Sequence, residues 1–257
     1  MGKLDVLLKV PKTRYRETAI ETNSLEFKKI VESRRSVRIY TDEKIPSHIV
    51  NECLDLALLA PNSSNLQQWQ FYRIVDESKK TLLAEYCMGQ LAATTAPELI
   101  VCVARTDKWR EVQASMIKSF DESKEPVSKG AYTYYQKIVP LAYNQGPLNI
   151  IGFLKKIAIF FSGLKNVTPR EPTSYADMRV WAHKSTALAC ENLMLAFRAF
   201  GYDSCPMEGF DSKRVKKLLN LPKKAEVCMI ISAGKRAENG VFTPRIRMKR
   251  DKFIFEI

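Results

Sequence analysis

Two histidines among 257 residues, His48 and His183, leave little material for chemistry that needs imidazole. Zinc sites and histidine-dependent acyl transfer draw heavily on that side chain, so neither is expected. The six cysteines, Cys53, Cys87, Cys102, Cys190, Cys205 and Cys228, form no C-x-x-C pair and no Cys/His cluster. Scattered through apolar runs, they read as small core side chains rather than disulfide staples or ligands. Glycine is scarce at 10 and proline stands at 12, while hydrophobic residues make up 46%, so collagen-like and disordered classes are excluded. Neither G-x-G-x-x-G nor G-x-x-x-x-G-K-[ST] occurs anywhere, which removes a standard dinucleotide fold and a P-loop.

Long hydrophobic runs are missing too. The longest apolar stretch, residues 147–164, carries Lys155 and Lys156 at its centre and cannot cross a bilayer. It is expected to be a surface helix that covers another part of the protein, the alternative being a helix lying flat on a membrane. Near the start, Val6 to Leu8 is too short for the core of a signal peptide, so a cytoplasmic, reducing compartment is expected.

Acid is in short supply. Lys and Arg number 41 against 28 Asp and Glu, a net charge of +13, with residues 1–38 at +5 and residues 235–257 at +4. An anionic ligand or surface is suggested, although most of these lysines are expected only to aid solubility. No helix-turn-helix, zinc-finger or RNA-recognition signature accompanies the charge, so nucleic acid is not an expected partner.

What is present reads as one α+β domain of layered, α/β-like character over residues 1–257. Asn23 and Glu26 resemble a capping pair for a helix to about Ser33. Ser47 opens a second helix whose near-continuous apolar run, ended by Pro61, predicts deep burial. Residues 69–75 read as a strand, 79–87 as a helix and 99–104 as a buried strand. Prolines break up residues 107–175, which read as an inserted helical excursion. Helical spacing over 177–200, closed by Gly201, predicts a central helix. Strands around 202–206 and 227–232 and a helix over 212–219 complete the core.

Four short runs carry the candidate chemistry. Arg34, Arg35, Ser36 and Arg38 put guanidinium forks and a hydroxyl together, a combination suited to phosphate. The loop from Pro61 to Trp69 gathers amides and hydroxyls between a buried helix and a strand. In Pro206-Met207-Glu208-Gly209-Phe210, Gly209 permits close backbone approach to a ligand. Pro244-Arg245-Ile246-Arg247 offers a second phosphate clamp.

In this order and at these separations the runs resemble the nitroreductase superfamily of FMN-dependent enzymes, over residues 24–106 and 176–257. The resemblance implies a nitroreductase-type fold, with a central mixed β-sheet flanked by helices and a helical insertion. It implies a homodimer with two FMN sites at the subunit interface, reduced by NADH or NADPH in ping-pong fashion. Hydride would pass through flavin N5 to a small electrophile such as a nitroaromatic or quinone. Arg34, Ser36, Arg245 and Arg247 would hold the FMN phosphate, with Arg35 in the same cluster. Arg38 would lie near the N1 and O2 edge, where a fixed cation stabilises the charge left by hydride arrival.

By the same resemblance Asn62, Ser63, Asn65 and Gln67 would meet the ring and ribityl chain, partly from the partner subunit. Gln90 would lie near the ring edge. Met207, Glu208 and Gly209 would meet the flavin, with the Glu208 and Gly209 backbone donating to N5. Arg38, Glu208 and Gly209 are thus the candidate catalytic residues, and no metal is expected. Asn62 stands where the family often has Ser, and Gln68 where it often has Pro. Tyr132, Tyr134, Tyr135 and Phe160 or Phe161, in the excursion, are expected to shape the substrate pocket. The competing reading is a basic module that binds nucleic acid or anionic membrane without catalysis.

Overall fold

The structure is a computed structural model that describes residue 15 and residues 17–257. The leading stretch weighed as a signal peptide therefore lies almost wholly outside the described residues.

Helix α1 spans Ser24–Ser33, where the Asn23 side chain accepts from the amides of Leu25 and Glu26. Helix α2 spans Ser47–Leu58. A 3-10 turn at Ser63–Asn65 then leads into strand β1, Trp69–Arg73. Helices α3, Glu77–Tyr86, and α4, Leu91–Thr94, precede strand β2, Glu98–Arg105. The excursion follows as α5 (Trp109–Glu122), α6 (Lys129–Thr133), α7 (Val139–Tyr143) and α8 (Ile150–Ser162). Helix α9, Tyr175–Ala199, strand β3, Asp203–Met207, helix α10, Ser212–Leu218, and strand β4, Ala225–Gly234, end the core.

The four strands lie in the order β1-β2-β4-β3, and every adjacent pair runs antiparallel. The mixed pairing expected of the sheet is confined to an isolated parallel bridge between Ser36 and Ser204. Strand β2 is buried along its whole length, because helices cover both faces of the sheet. Leu99, Val101 and Val103 join the core beneath α3, α4 and α10, while Ile100 and Cys102 join the core beneath α2 and α9. Five of the six cysteines are buried and all six are free thiols, as a core role requires.

Two expectations are corrected. Helix α2 is not deeply buried all round: Val50, Cys53 and Ala57 form its one buried stripe, and Leu56 and Leu58 stay exposed. A sheet and one neighbouring helix can cover only one side of a helix. Helix α8, expected to cover another part of the protein, buries only Gly152 fully; Ile151 packs beside Gly146 and Ile159 is half-buried, while the rest of its large apolar side chains stay exposed.

The long helix ends at Gly201 as its sequence predicts, and it opens on a side-chain cap. Ser174 Oγ accepts from the Asp177 amide, Asp177 Oδ2 accepts from the Thr173 amide, and Gly201 takes a φ of 83° just past the end.

Candidate functional site

The segment 34–38 leaves α1 and runs alongside β3, with the Val37 amide donating to Ser204 O at 3.2 Å. The stretch 241–247 runs back over it. Arg35 Nη2 donates to Thr243 O at 2.5 Å, and Arg245 Nη2 donates to the carbonyl of Arg34. The Arg38 amide donates to Gly240 O at 2.7 Å, and its guanidinium lies 5.7 Å from the centroid of the Phe242 ring. Arg34, Arg35, Ser36, Arg38, Arg245 and Arg247 thus line a single cavity of about 190 Å³.

Its electrostatics are one-sided. A guanidinium cannot shed its charge in a protein, so the cavity gathers five permanent cations. The ion pair these arginines make among the described residues joins Arg34 to Glu191 on α9, at 4.0 Å. An anion with several oxygens is what such a donor set can hold. Beneath it, burial pushes the Cys205 thiol up, partly offset by the nearby Arg38, the Ser36 hydroxyl and Arg34. That thiol stays protonated and leaves the arginines free for a ligand. The fit is therefore good for a phosphate group.

At the other end of β3 the turn Glu208-Gly209 is exposed, while Met207 is a core residue at 3% exposure and can offer a ligand only its main chain. Gln90, the N-cap of α4, reaches this turn: its Nε2 donates to Gly209 O at 2.8 Å and to Cys87 O at 2.9 Å. Five residues separate Ser204 from Gly209, which is about 16 Å of extended chain. The anion cavity and the Gln90–Gly209 contact thus mark two ends of one sheet edge.

The loop 62–67 is elsewhere. It enters β1, on the opposite edge, and Trp69 pairs with Ala104. Ser204, beside Ser36, pairs with Ala233, which pairs with Glu98 at the other end of β2. Three strand spacings across and six residues along put the two clusters about 25 Å apart. Within one chain the structure does not bring Asn62, Ser63, Asn65 and Gln67 to the arginines.

Three of the residues in that loop, Ser64, Asn65 and Gln67, have positive φ values of 57°, 45° and 43°. Such backbone is costly without glycine and needs external support. Tyr134 and Tyr143 hydrogen-bond Ser64 Oγ at 2.6 and 3.0 Å, and Tyr135 OH donates to Ser64 O at 2.7 Å. Tyr143 also reaches Ser63 Oγ at 3.3 Å. Burial pushes the Tyr143 phenol up to about 12, so it keeps its proton. Asn62 is turned inward, with Oδ1 accepting from the Gln67 amide at 2.8 Å and Nδ2 donating to Ala60 O at 3.3 Å. It shapes the loop, whereas Asn65 and Gln67 stay exposed.

The tyrosine grip was missed in the sequence, where Tyr134 and Tyr135 were expected at a substrate pocket. Tyr132 instead donates to Asp121 at 3.0 Å, and Phe160 and Phe161 are 59% and 64% exposed on α8. Nothing local marks Ser64 as the partner of residues 70 positions away.

The chain is similar to several known proteins. An NADH dehydrogenase of Thermus thermophilus is 26% identical over 226 residues, covering 88% of this chain and 94% of that protein. Protein DrgA of Synechocystis is 28% identical over 208 residues, covering 80% of this chain and 82% of its own length. A protein of Exiguobacterium sibiricum, assigned as a nitroreductase and solved in complex with FMN, superposes with a TM-score of 0.66 at 22% identity. That likeness covers 94% of this chain and 100% of the other. Residues 31–235 match the profile of the Nitroreductase family, and the chain belongs to that family.

Proposed function

We propose that the protein is an FMN-dependent NAD(P)H oxidoreductase that reduces a small electrophile, such as a nitroaromatic or a quinone. The observation that carries this reading is the convergence of Arg34, Arg38, Arg245 and Arg247 on one cavity from opposite ends of the sequence. The names of the relatives, an NADH dehydrogenase among them, and the FMN bound to the solved neighbour support it.

The bound flavin would supply the hydride chemistry, taking two electrons from NAD(P)H and passing them on. The chain supplies binding and electrostatics. Arg34, Arg245, Arg247 and the Ser36 hydroxyl would hold the phosphate, with Arg35 fixing the tail stretch across them. Arg38 would put a cation beside the ring edge that gains negative charge. The exposed backbone of Glu208 and Gly209, steadied by Gln90, would face the ring at the far end of β3.

The reading includes a homodimer. Asn65 and Gln67 lie too far from the arginines of their own chain to share one flavin with them, so a second copy would bring them in. Leu56 and Leu59 beside α2 and Leu188 on α9, exposed at 39%, 75% and 48%, supply an apolar face for that pairing.

Purified protein incubated with FMN should be yellow and bleach anaerobically on addition of NADH or NADPH. Arg34→Ala and Arg247→Ala should each weaken FMN binding about tenfold through lost charged hydrogen bonds. Colourless protein with excess FMN would end the reading, and unchanged affinity in both variants would end the clamp assignment.

A further inference from the structure

Helix α8 turns its widest apolar arc away from the body of the protein. At 100° per residue, Ile150, Phe153, Leu154, Ile157, Phe160 and Phe161 fall within an arc of about 120°. Their exposures run from 42 to 64%. The opposite side meets the protein through Gly152 and Lys155. Lys155 Nζ donates to Ala142 O at 2.8 Å and to Leu141 O and Pro172 O at 3.3 Å. Gly152 is buried so closely that a Cβ there would stand 2.2 Å from Thr173 O. The body therefore grips the helix by a glycine and a charge, and holds the apolar arc out to solvent.

We propose that α8 docks the protein on an anionic membrane surface, lying flat with the apolar arc at the acyl boundary. Charge identifies the occupant. From Pro126 to Arg170 there is no Asp or Glu, while Lys129, Lys137, Lys155, Lys156, Lys165 and Arg170 all fall in that span. Lys156, beside the arc, and Lys165, in the turn just past the end of α8, are both exposed, so their stems can lie along the apolar boundary with ammonium groups among lipid phosphates. Pairing this face with a second copy would crowd those lysines against their own counterparts with no acid to meet them. Thirteen residues make a helix of about 20 Å, too short to cross a bilayer and long enough to lie in one leaflet. Among the described residues no helix is long and apolar enough to span. The inference is independent of the flavin reading, since none of these side chains belongs to the proposed flavin site.

The test is flotation of the purified full-length chain with phosphatidylcholine vesicles, with and without phosphatidylglycerol. The parent should float with the anionic vesicles, less with neutral ones, and less again as salt is raised. The double variant Phe153→Ser/Phe160→Ser should lose on the order of tenfold in partitioning. Lys156→Gln/Lys165→Gln should lose about fivefold per charge on anionic vesicles alone. All four side chains are exposed, so thermal melts matching the parent separate lost docking from lost folding. Absence of flotation by the parent, or flotation of both double variants equal to the parent's, would overturn the proposal. So would self-association in vesicle-free buffer that the phenylalanine pair abolishes, which would give the face to a second copy.

Discussion

Arg105 and Asp107 illustrate how single side chains tie the excursion to the sheet. Arg105, 7% exposed at the end of β2, donates through Nε and Nη2 to the two oxygens of Asp107, each at 2.9 Å. The Arg105 hydrogen bonds hold the Asp107 carboxyl below its usual value of 3.8. A depressed carboxyl contributes stability that is complete above the unfolded value and is lost as pH falls through the folded one. Urea midpoints should therefore fall on acidification below about pH 4, and Asp107→Asn should flatten that part of the profile. At neutral pH the same variant should cost about 2 kcal/mol, less than a fully buried pair would, since the Asp107 side chain is 24% exposed. A midpoint that Asp107→Asn leaves unchanged would remove the pair from this role.

At the scale of elements, Gly152 sets propensity against packing. Replacing a mid-helix glycine by alanine ordinarily stabilises by up to about 1 kcal/mol. Here the new Cβ would meet Thr173 O at 2.2 Å, Gln145 Oε1 at 2.6 Å and Asn149 Oδ1 at 2.7 Å. The first of these is backbone and cannot swing aside. Overpacking of that kind costs about 1–3 kcal/mol, so Gly152→Ala should lower the melting temperature and speed amide exchange in α8. A stabilised variant would mean that α8 is not gripped at this point.

The same elements mark what the sequence could disclose. The unbroken apolar run of β2 and the helical spacing of α9 closed by Gly201 are local patterns, so the positions of these elements were legible to within a few residues. The arginine cluster was legible only through the order and spacing of four short runs taken together, because a short basic run by itself more often just solvates a surface. The outward face of α8 was not, since spacing reveals an apolar arc but not which way it is mounted; the grip of Gly152 and Lys155 is set by Thr173 and Pro172. The strained loop was hidden for a related reason. Its positive φ values lie on serine, asparagine and glutamine, and phenols far along the chain stabilise them.

At the scale of the whole molecule, the two halves of the proposed site stand at opposite corners of one sheet. Complementation tests whether two copies share it. A chain carrying Arg34→Ala/Arg247→Ala and one carrying Asn65→Ala/Gln67→Ala should each bind FMN poorly. Random re-pairing of equal amounts would rebuild about a quarter of the sites with both halves intact. Calorimetric titration of the mixture should recover that fraction at parental affinity. No recovery would mean that each chain completes its own site.

The reciprocal fastening of residues 34–38 and 243–247 also bears on biogenesis. Arg35 and Thr243 are 208 positions apart, and Arg245 and Arg34 are 211 apart. During translation the first arginines leave the ribosome long before their counterparts exist, so the nascent polypeptide passes most of its synthesis without an anion pocket. Cofactor capture is thereby deferred to a nearly finished chain, after the sheet that spaces the two halves has been made.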